Sequence, residues 1–523
     1  MLVAALGLGL AVGHGAGVGS LSGCSGSDQI SIGSDDALAF FLSPDGDDGN
    51  PGTRTHPWKT FRRALPALRP GSSLVLLDGV YQRSTTGYPA ITCDADAENG
   101  TAQAPIVMRA DHERAALLLG DDGGPPFFIA GCQHWVIDGL RAESGDFPDA
   151  PSSADAGSIF VVGPDSHDIV LHRLLGRHPN RYRHAHGLRI GDGSSDILVE
   201  ECELYDFHHN AFETARSTAV VFRRNYVNGS GAVDLPTGYV SEDPTRGDFG
   251  FFLEETRFSI AENNIVEGVG IGFGVVGRYS GLPSDQPPPS DDPIDGNRLL
   301  GNVVLQPNSS GFYLDSRCLG QSPCLDRARL VAGTELVDDV VVGGAVGVQS
   351  VGAVGTRISQ FTAIRAMTAV RLGRDPQNAG VAATSSTLNS LAVGFTQAGF
   401  QSTGEDQWSF DHCAGVGGNG PVFVPDDTHV TARLTVDPNL GACLVYLPAQ
   451  SPLRGMGLGG RSVGANVVGR YQNGLLTDSR LWDAATRSFP CGTVVAGSND
   501  DPALNCVGVS DRLQVGTPGC AAP

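Results

Sequence analysis

One short residue pattern returns along this chain and confines it to a stack of similar coils. Two or three alternating apolar positions lead into a turn-like residue, a spacer and another apolar residue. It reads Ile197-Leu-Val199-Glu-Glu-Cys202-Glu-Leu204, then Val220-Val-Phe222-Arg-Arg-Asn225-Tyr-Val227, then Phe258-Ser-Ile260-Ala-Glu-Asn263-Asn-Ile265. Taking Arg173, Cys202, Asn225, Asn263, Asn302, Thr334, Thr362, Asn389 and Cys413 as anchors, successive copies lie 29, 23, 38, 39, 32, 28, 27 and 24 residues apart. A floor near 23 with variable excess means one structural coil per repeat, with insertions at the turns. Alternation with period two inside each copy makes the units strands.

About ten residues after most anchors lies a second alternating segment. Side chains alternate faces along a strand. Aligned in register, one face stacks Leu188, Phe212, Phe251, Phe273, Phe312, Val370 and Phe400 as an internal ladder. The other face presents Arg189, Glu213, Phe252, Gly274, Tyr313, Arg371 and Gln401. Burying each phenylalanine stabilises by roughly 1.5–3 kcal/mol, so a slipped register is costly. A sandwich of short strands would not align phenylalanines in this way. The 71 glycines and 32 prolines suit a chain dense in turns.

A net charge of −22 argues against nucleic acid and against an anionic membrane face. Residues 1–23 are apolar and rich in glycine and alanine, as in a signal peptide. Their ending, Leu21-Ser-Gly-Cys24, resembles a bacterial lipobox, which would make Cys24 the lipidated first residue of the mature chain. No lysine or arginine precedes the apolar run, a departure from the usual signal. Cys24 apart, ten cysteines remain; in an oxidising compartment they read as disulfides, with Cys318 and Cys324 around one loop and Cys491, Cys506 and Cys520 near the end. Cys202 reads as a small interior hydrophobe. No later apolar run is long enough to span a bilayer, so any membrane contact is expected through the lipid alone.

Residues 25–36 read as a tether, 37–425 as the solenoid with an N-terminal cap, and 426–523 as a disulfide-rich C-terminal cap. Trp58, Phe61, Ala64, Leu65 and Leu68 have helical spacing, with Pro66 placed to kink or end the helix. The opening string comprises Phe40-Phe-Leu-Ser-Pro44-Asp-Gly-Asp-Asp-Gly-Asn50-Pro-Gly-Thr53, Pro57-Trp58-Lys-Thr60, Arg69-Pro-Gly71 and Asp78-Gly-Val-Tyr81. It resembles the opening of secreted right-handed parallel β-helix proteins of the pectate-lyase-like superfamily, and the resemblance runs through the coils to about residue 415. The implied fold is all-β, a right-handed parallel β-helix. The implied partner is a polysaccharide, bound in a groove walled by loops near 177–186, 228–248, 277–295 and 316–327. A monomer is expected.

Histidines concentrate at His167, His172, His178, His184, His186, His208 and His209, among Arg177, Arg181, Tyr182, Arg183, Arg189 and Glu213. In register, Arg189 and Glu213 are neighbours one coil apart, and His184 and His186 sit at the same turn as His208 and His209. The resemblance implies a lyase or C5-epimerase, which removes the C5 proton of a uronic acid. That chemistry needs a base, a group to neutralise the carboxylate, and a proton donor. His184, His186, Arg189, His208, His209 and Tyr182 are the catalytic candidates. Arg183, Glu213, Glu254, Tyr313 and Asp315 are candidates for substrate binding. The lysine base that the resemblance also allows is not expected here, because the one lysine, Lys59, lies in the predicted N-terminal cap, away from the groove. A hydrolase would need two carboxylates roughly 5–9.5 Å apart, which Glu213, Glu254 and Asp315 could supply. No metal ligand set is evident. Calcium stays open as a cofactor, since Asp45, Asp47 and Asp48 are clustered but read as turn residues. The rival expectation is a non-catalytic surface protein that binds glycan, favoured by the charge of −22.

Overall fold

A computed structural model describes residues 38–93, 97–121, 124–144, 157–177, 185–191, 193–207, 209–230, 247–277, 293–316, 330–373, 384–403, 407–427, 429–481, 512–515 and 520. The chain divides into residues 1–35, none of them described, and a second unit of residues 36–523.

Among the described residues, the second unit winds through three parallel sheets, as expected for a parallel β-helix. Sheet 1 has 14 strands, from Ala39–Leu42 to Val430–Thr431. Sheet 2 has 12, from Gly79–Gln82 to Ala414–Val416. Sheet 3 has 12, from Ala90–Thr92 to Phe423–Val424. The internal ladder has the expected register: Leu188 pairs with Phe212, Phe212 with Phe251, Phe251 with Phe273, and Phe273 with Phe312. Val348 fills the next place, ahead of Val370 and Phe400. The four phenylalanine rings stack nearly parallel with centroids 4.7, 4.7 and 5.2 Å apart, contacts that add to their burial.

The corner from sheet 1 to sheet 2 corrects several anchors. Each corner uses one residue at positive φ, such as Arg173, Glu201, Arg224, Asn263, Gly301, Asp338, Gln360, Asn389 or His412. The residue after it turns inward and is buried: Leu174, Cys202, Asn225, Asn264, Asn302, Asp339, Phe361, Ser390 and Cys413. Arg173, Asn263 and Asn389 are therefore one residue early and Thr362 one late. Thr334 precedes its sheet 1 strand, Glu335–Val337, and belongs to a different turn.

The N-terminal helix is shorter than its apolar spacing suggests. It spans Phe61–Ala64, with Thr60 as N-cap, and gives way to a 3₁₀ turn at Leu65–Ala67 that contains Pro66. Trp58, Phe61, Leu65 and Leu68 are buried, so this element still closes core at the first coil. Asp47 accepts from the backbone N–H of Gly49 two residues on, the turn role expected of it, whereas Asp48 reaches across to the N–H groups of Lys59 and Thr60 at the start of the helix.

The described part of the C-terminal region lies along the flank of the stack. Cys443, Val445, Tyr446, Val467, Leu513 and Val515 pack on the outward side chains of sheet 2, among them Tyr205, Tyr226, Val303 and Val340. Cys443 and Cys520 are disulfide-bonded, as are Cys93 and Cys132. Cys202 is buried at an inward turn position, as expected of a small interior hydrophobe, and burial pushes its thiol up to about 12. Cys318, Cys324, Cys491 and Cys506 lie outside the described residues, as does Cys24.

Candidate functional site

The expected histidine cluster separates onto different faces. His167 and His172 belong to the sheet 1 strand His167–His172. His167 pairs with Asp168 at 2.8 Å, and His172 pairs with Asp138 at 3.0 Å. Arg177, on sheet 2, pairs with Asp206 at 3.3 Å. His178, Arg181, Tyr182, Arg183, His184 and His208 lie outside the described residues.

His186, Arg189, His209 and Glu213 do converge, on the outer side of sheet 3. The strand Leu188–Ile190 pairs with Asn210–Ala215, which puts Arg189 opposite Glu213. His209 immediately precedes its strand and His186 lies two residues before its own, and their ring centroids lie 5.1 Å apart. His186 Nδ1 is 3.1 Å from Glu213 Oε2, and Arg189 Nε donates to Glu213 Oε1 at 3.2 Å. Asn210 Nδ2 donates to Oε2 at 2.8 Å. Burial by itself would raise the Glu213 carboxyl. Electrostatic attraction to His186, Arg189 and His209, with the Asn210 amide, outweighs it and holds the group below its usual value. Glu213 is therefore held as an anion.

Sequence reasoning missed two members, Asn210 and Asp248. Asp248 begins the next coil, and its Oδ2 lies 2.8 Å from His209 Nδ1. The signal was present: stepping back three places from Phe212 and Phe251, which pair in the ladder, lands on His209 and Asp248. The 228–248 insertion hid it, because that stretch read as loop alone.

Exposure separates the roles these groups can take. The side chain of His186 is 2% exposed, while those of Arg189, His209 and Asp248 are 20%, 24% and 33% exposed. Arg189 and His209 can meet a ligand; His186 braces Glu213 from behind. His186, His209 and Glu213 also offer donor atoms within 4.8 Å of one another, a spacing open to a cation. Both oxygens of Glu213 are already engaged, and the Arg189 guanidinium supplies positive charge there.

The other candidates stand apart. Glu254 aligns with Val276 and then Asp315, a different column from that of Glu213. Tyr313 shares the Glu213 column, but Phe252 and Gly274 intervene, which puts it about 14 Å away at one strand spacing per coil. Its hydroxyl donates to Asp315 Oδ2 at 2.9 Å.

No family model matches the chain, and no curated protein matches it by sequence. Solved structures similar to it include a rhamnogalacturonan lyase, with 13% identity and TM-score 0.46, covering 62% of this chain and 82% of that one. Pectate lyase Pel9A has 14% identity and TM-score 0.40, covering 82% and 95%. The A-module of the Azotobacter vinelandii mannuronan C-5 epimerase AlgE6 has 12% identity and TM-score 0.45, covering 70% and 92%.

Proposed function

We propose that the chain is an exported enzyme that acts on an acidic polysaccharide by removing the C5 proton of a uronic acid. The observation that supports this reading is the meeting of Arg189, His209, His186 and Glu213 in one partly open cluster on sheet 3. Arg189 pairs with the uronate carboxylate, which withdraws charge from C5 and makes its proton more acidic. His209 takes that proton. Glu213, held ionised, sets the position of Arg189, and buried His186 fixes Glu213. Elimination and C5 epimerisation share this first step.

Incubation with a panel of uronate polymers tests the reading through the ultraviolet absorbance of new C4=C5 double bonds and through epimer analysis. Arg189→Ala and His209→Ala should each lower turnover about 100-fold or more, while circular dichroism stays unchanged. Silence across the panel by both readouts, with polymer still bound, would leave the glycan-binding alternative that the charge of −22 favours.

A further inference from the structure

We infer that His209, held by Asp248, both removes the C5 proton and hands a proton to O4, so that the substrate is a uronate whose H5 and O4 project from one side of the ring. This rests on the proton-abstraction reading and fixes its stereochemistry. Three observations carry it.

The first is the tautomer. Asp248 Oδ2 sits 2.8 Å from His209 Nδ1. A carboxylate accepts, so Nδ1 carries the hydrogen and Nε2 is the nitrogen that exchanges protons. Once Nε2 has taken a proton, Asp248 stabilises the imidazolium until the proton moves on. The second is exposure. Within the described cluster His209 is the open imidazole at 24%, whereas His186 is 2% exposed and faces Glu213. The third is sidedness. Arg189, His209 and Asp248 lie on or just before strands of successive coils of one sheet, so a sugar lying across them meets, among the described residues, one open proton-carrying group from one side.

The reaction then balances without a co-reactant. Nε2 takes H5, and the C5–H electron pair moves toward the carboxylate that Arg189 neutralises. That pair returns to form C4=C5 as the C4–O4 bond breaks. O4 leaves with the bonding pair and receives the proton from Nε2, which restores neutral His209. One group can serve C5 and O4 in turn when both substituents lie on the same side. That is the case in gluco- and manno-configured uronates. In galacturonate, guluronate and iduronate they lie on opposite sides. Epimerisation would require a proton delivered to the far face, so the outcome is elimination.

The test uses the full chain with glucuronate- and mannuronate-containing polymers on one hand, and polygalacturonate and polyguluronate on the other. Unsaturated ends should form from the first group. Asp248→Asn should lower kcat and displace the pH profile with little change in KM, and Asp248→Glu should recover part of the rate. Unsaturated ends from polygalacturonate or polyguluronate alone would keep the proton-abstraction reading and overturn the one-sided assignment. C5-epimerised polymer without chain scission would do the same. No product from any polymer would overturn both.

Discussion

At the scale of single residues, the most informative feature is a ladder of buried amides. Asn225, Asn264 and Asn302 occupy the inward corner position in successive coils. Each Oδ1 accepts the backbone N–H of the corner residue one coil earlier, beginning with Cys202. Each Nδ2 donates to a carbonyl of the earlier coil: Val199, Phe222 and Ala261. Asp339 ends the ladder. Its Oδ1 accepts from Asn302, but its Oδ2 is buried without a hydrogen-bond partner. Burial pushes this carboxyl well above its ordinary value, despite the Asn302 bonds that lower it. The sign follows from linkage. A raised folded-state value means that stability is intact below the ordinary carboxylate range and falls as pH climbs from there toward the raised value. Asp339→Asn replaces the unmatched oxygen with a donor in the place where its predecessors donate. It should stabilise the protein by about 1–3 kcal/mol at neutral pH, with no gain at strongly acidic pH. Thermal melts of both proteins across pH check this; a gain independent of pH would refute the account. The ladder was half legible. Asn225 and Asn302 stood out, but in the doublet Asn263-Asn264 the period could not say which amide turns inward. Only the hydrogen bonds separate the corner residue from the ladder residue.

At the scale of the element, the recurring Gly-Phe pair reflects packing on both sides of one backbone. In sheet 3, Phe251, Phe273 and Phe312 fill the interior, while the glycine before each lies where two walls approach. A Cβ on Gly272 would stand 2.5 Å from the carbonyl oxygen of Gly311 and 2.5 Å from a methyl of Val304. Neither the next coil's backbone nor the β-branched side chain can yield without moving a strand. Gly272→Ala should therefore destabilise by about 1–3 kcal/mol and leave the Arg189–Glu213 cluster two coils away intact. Chemical denaturation checks the first part, and residual turnover checks the second. This pattern made the fold readable: a large internal group every coil, preceded by the residue that admits its neighbour, survives insertions at the turns. The flanking C-terminal region was not readable by the same means. It has no period, and it is tied to the coils by contacts across long sequence separations, such as Tyr471 with Asn263 and Asp338, and Arg512 with Glu267. Such pairs leave no local trace. The candidate site falls between these cases. Its members on regular strands, Arg189 and Glu213, followed from register; Asp248 sat behind an insertion that broke the count.

Across the whole molecule, a chain of charges links the early coils to that C-terminal region. His172 pairs with Asp138 at 3.0 Å and lies 3.5 Å from Glu201. Glu201 pairs with Arg224 at 3.1 Å, Arg224 with Glu200, Glu200 with Arg223 at 3.3 Å, and Arg223 with Glu262 at 2.6 Å. Glu262 then accepts the backbone N–H groups of Asn473 and Gly474 at 3.0 and 2.9 Å. Buried charges tolerate this only as a matched set, because removing one partner strands the other out of water. His172 is the member whose ordinary value lies near neutrality. Burial would lower it, but Asp138 and Glu201 prevail and raise it to about 9, with Arg173 opposing them. Its folded-state value thus exceeds the ordinary 6.5. The stability it contributes is complete below that ordinary value and is lost as pH rises through about 9. The side chain is 12% exposed, so screening by water is slight and the loss is on the order of 3 kcal/mol. The melting temperature should fall across this alkaline window. His172→Gln keeps a polar side chain without the titrating charge, so it should melt lower than the parent at neutral pH and show a flatter alkaline limb. If the variant keeps the parent's full alkaline decline, the decline comes from elsewhere, and the chain of charges does not begin at His172.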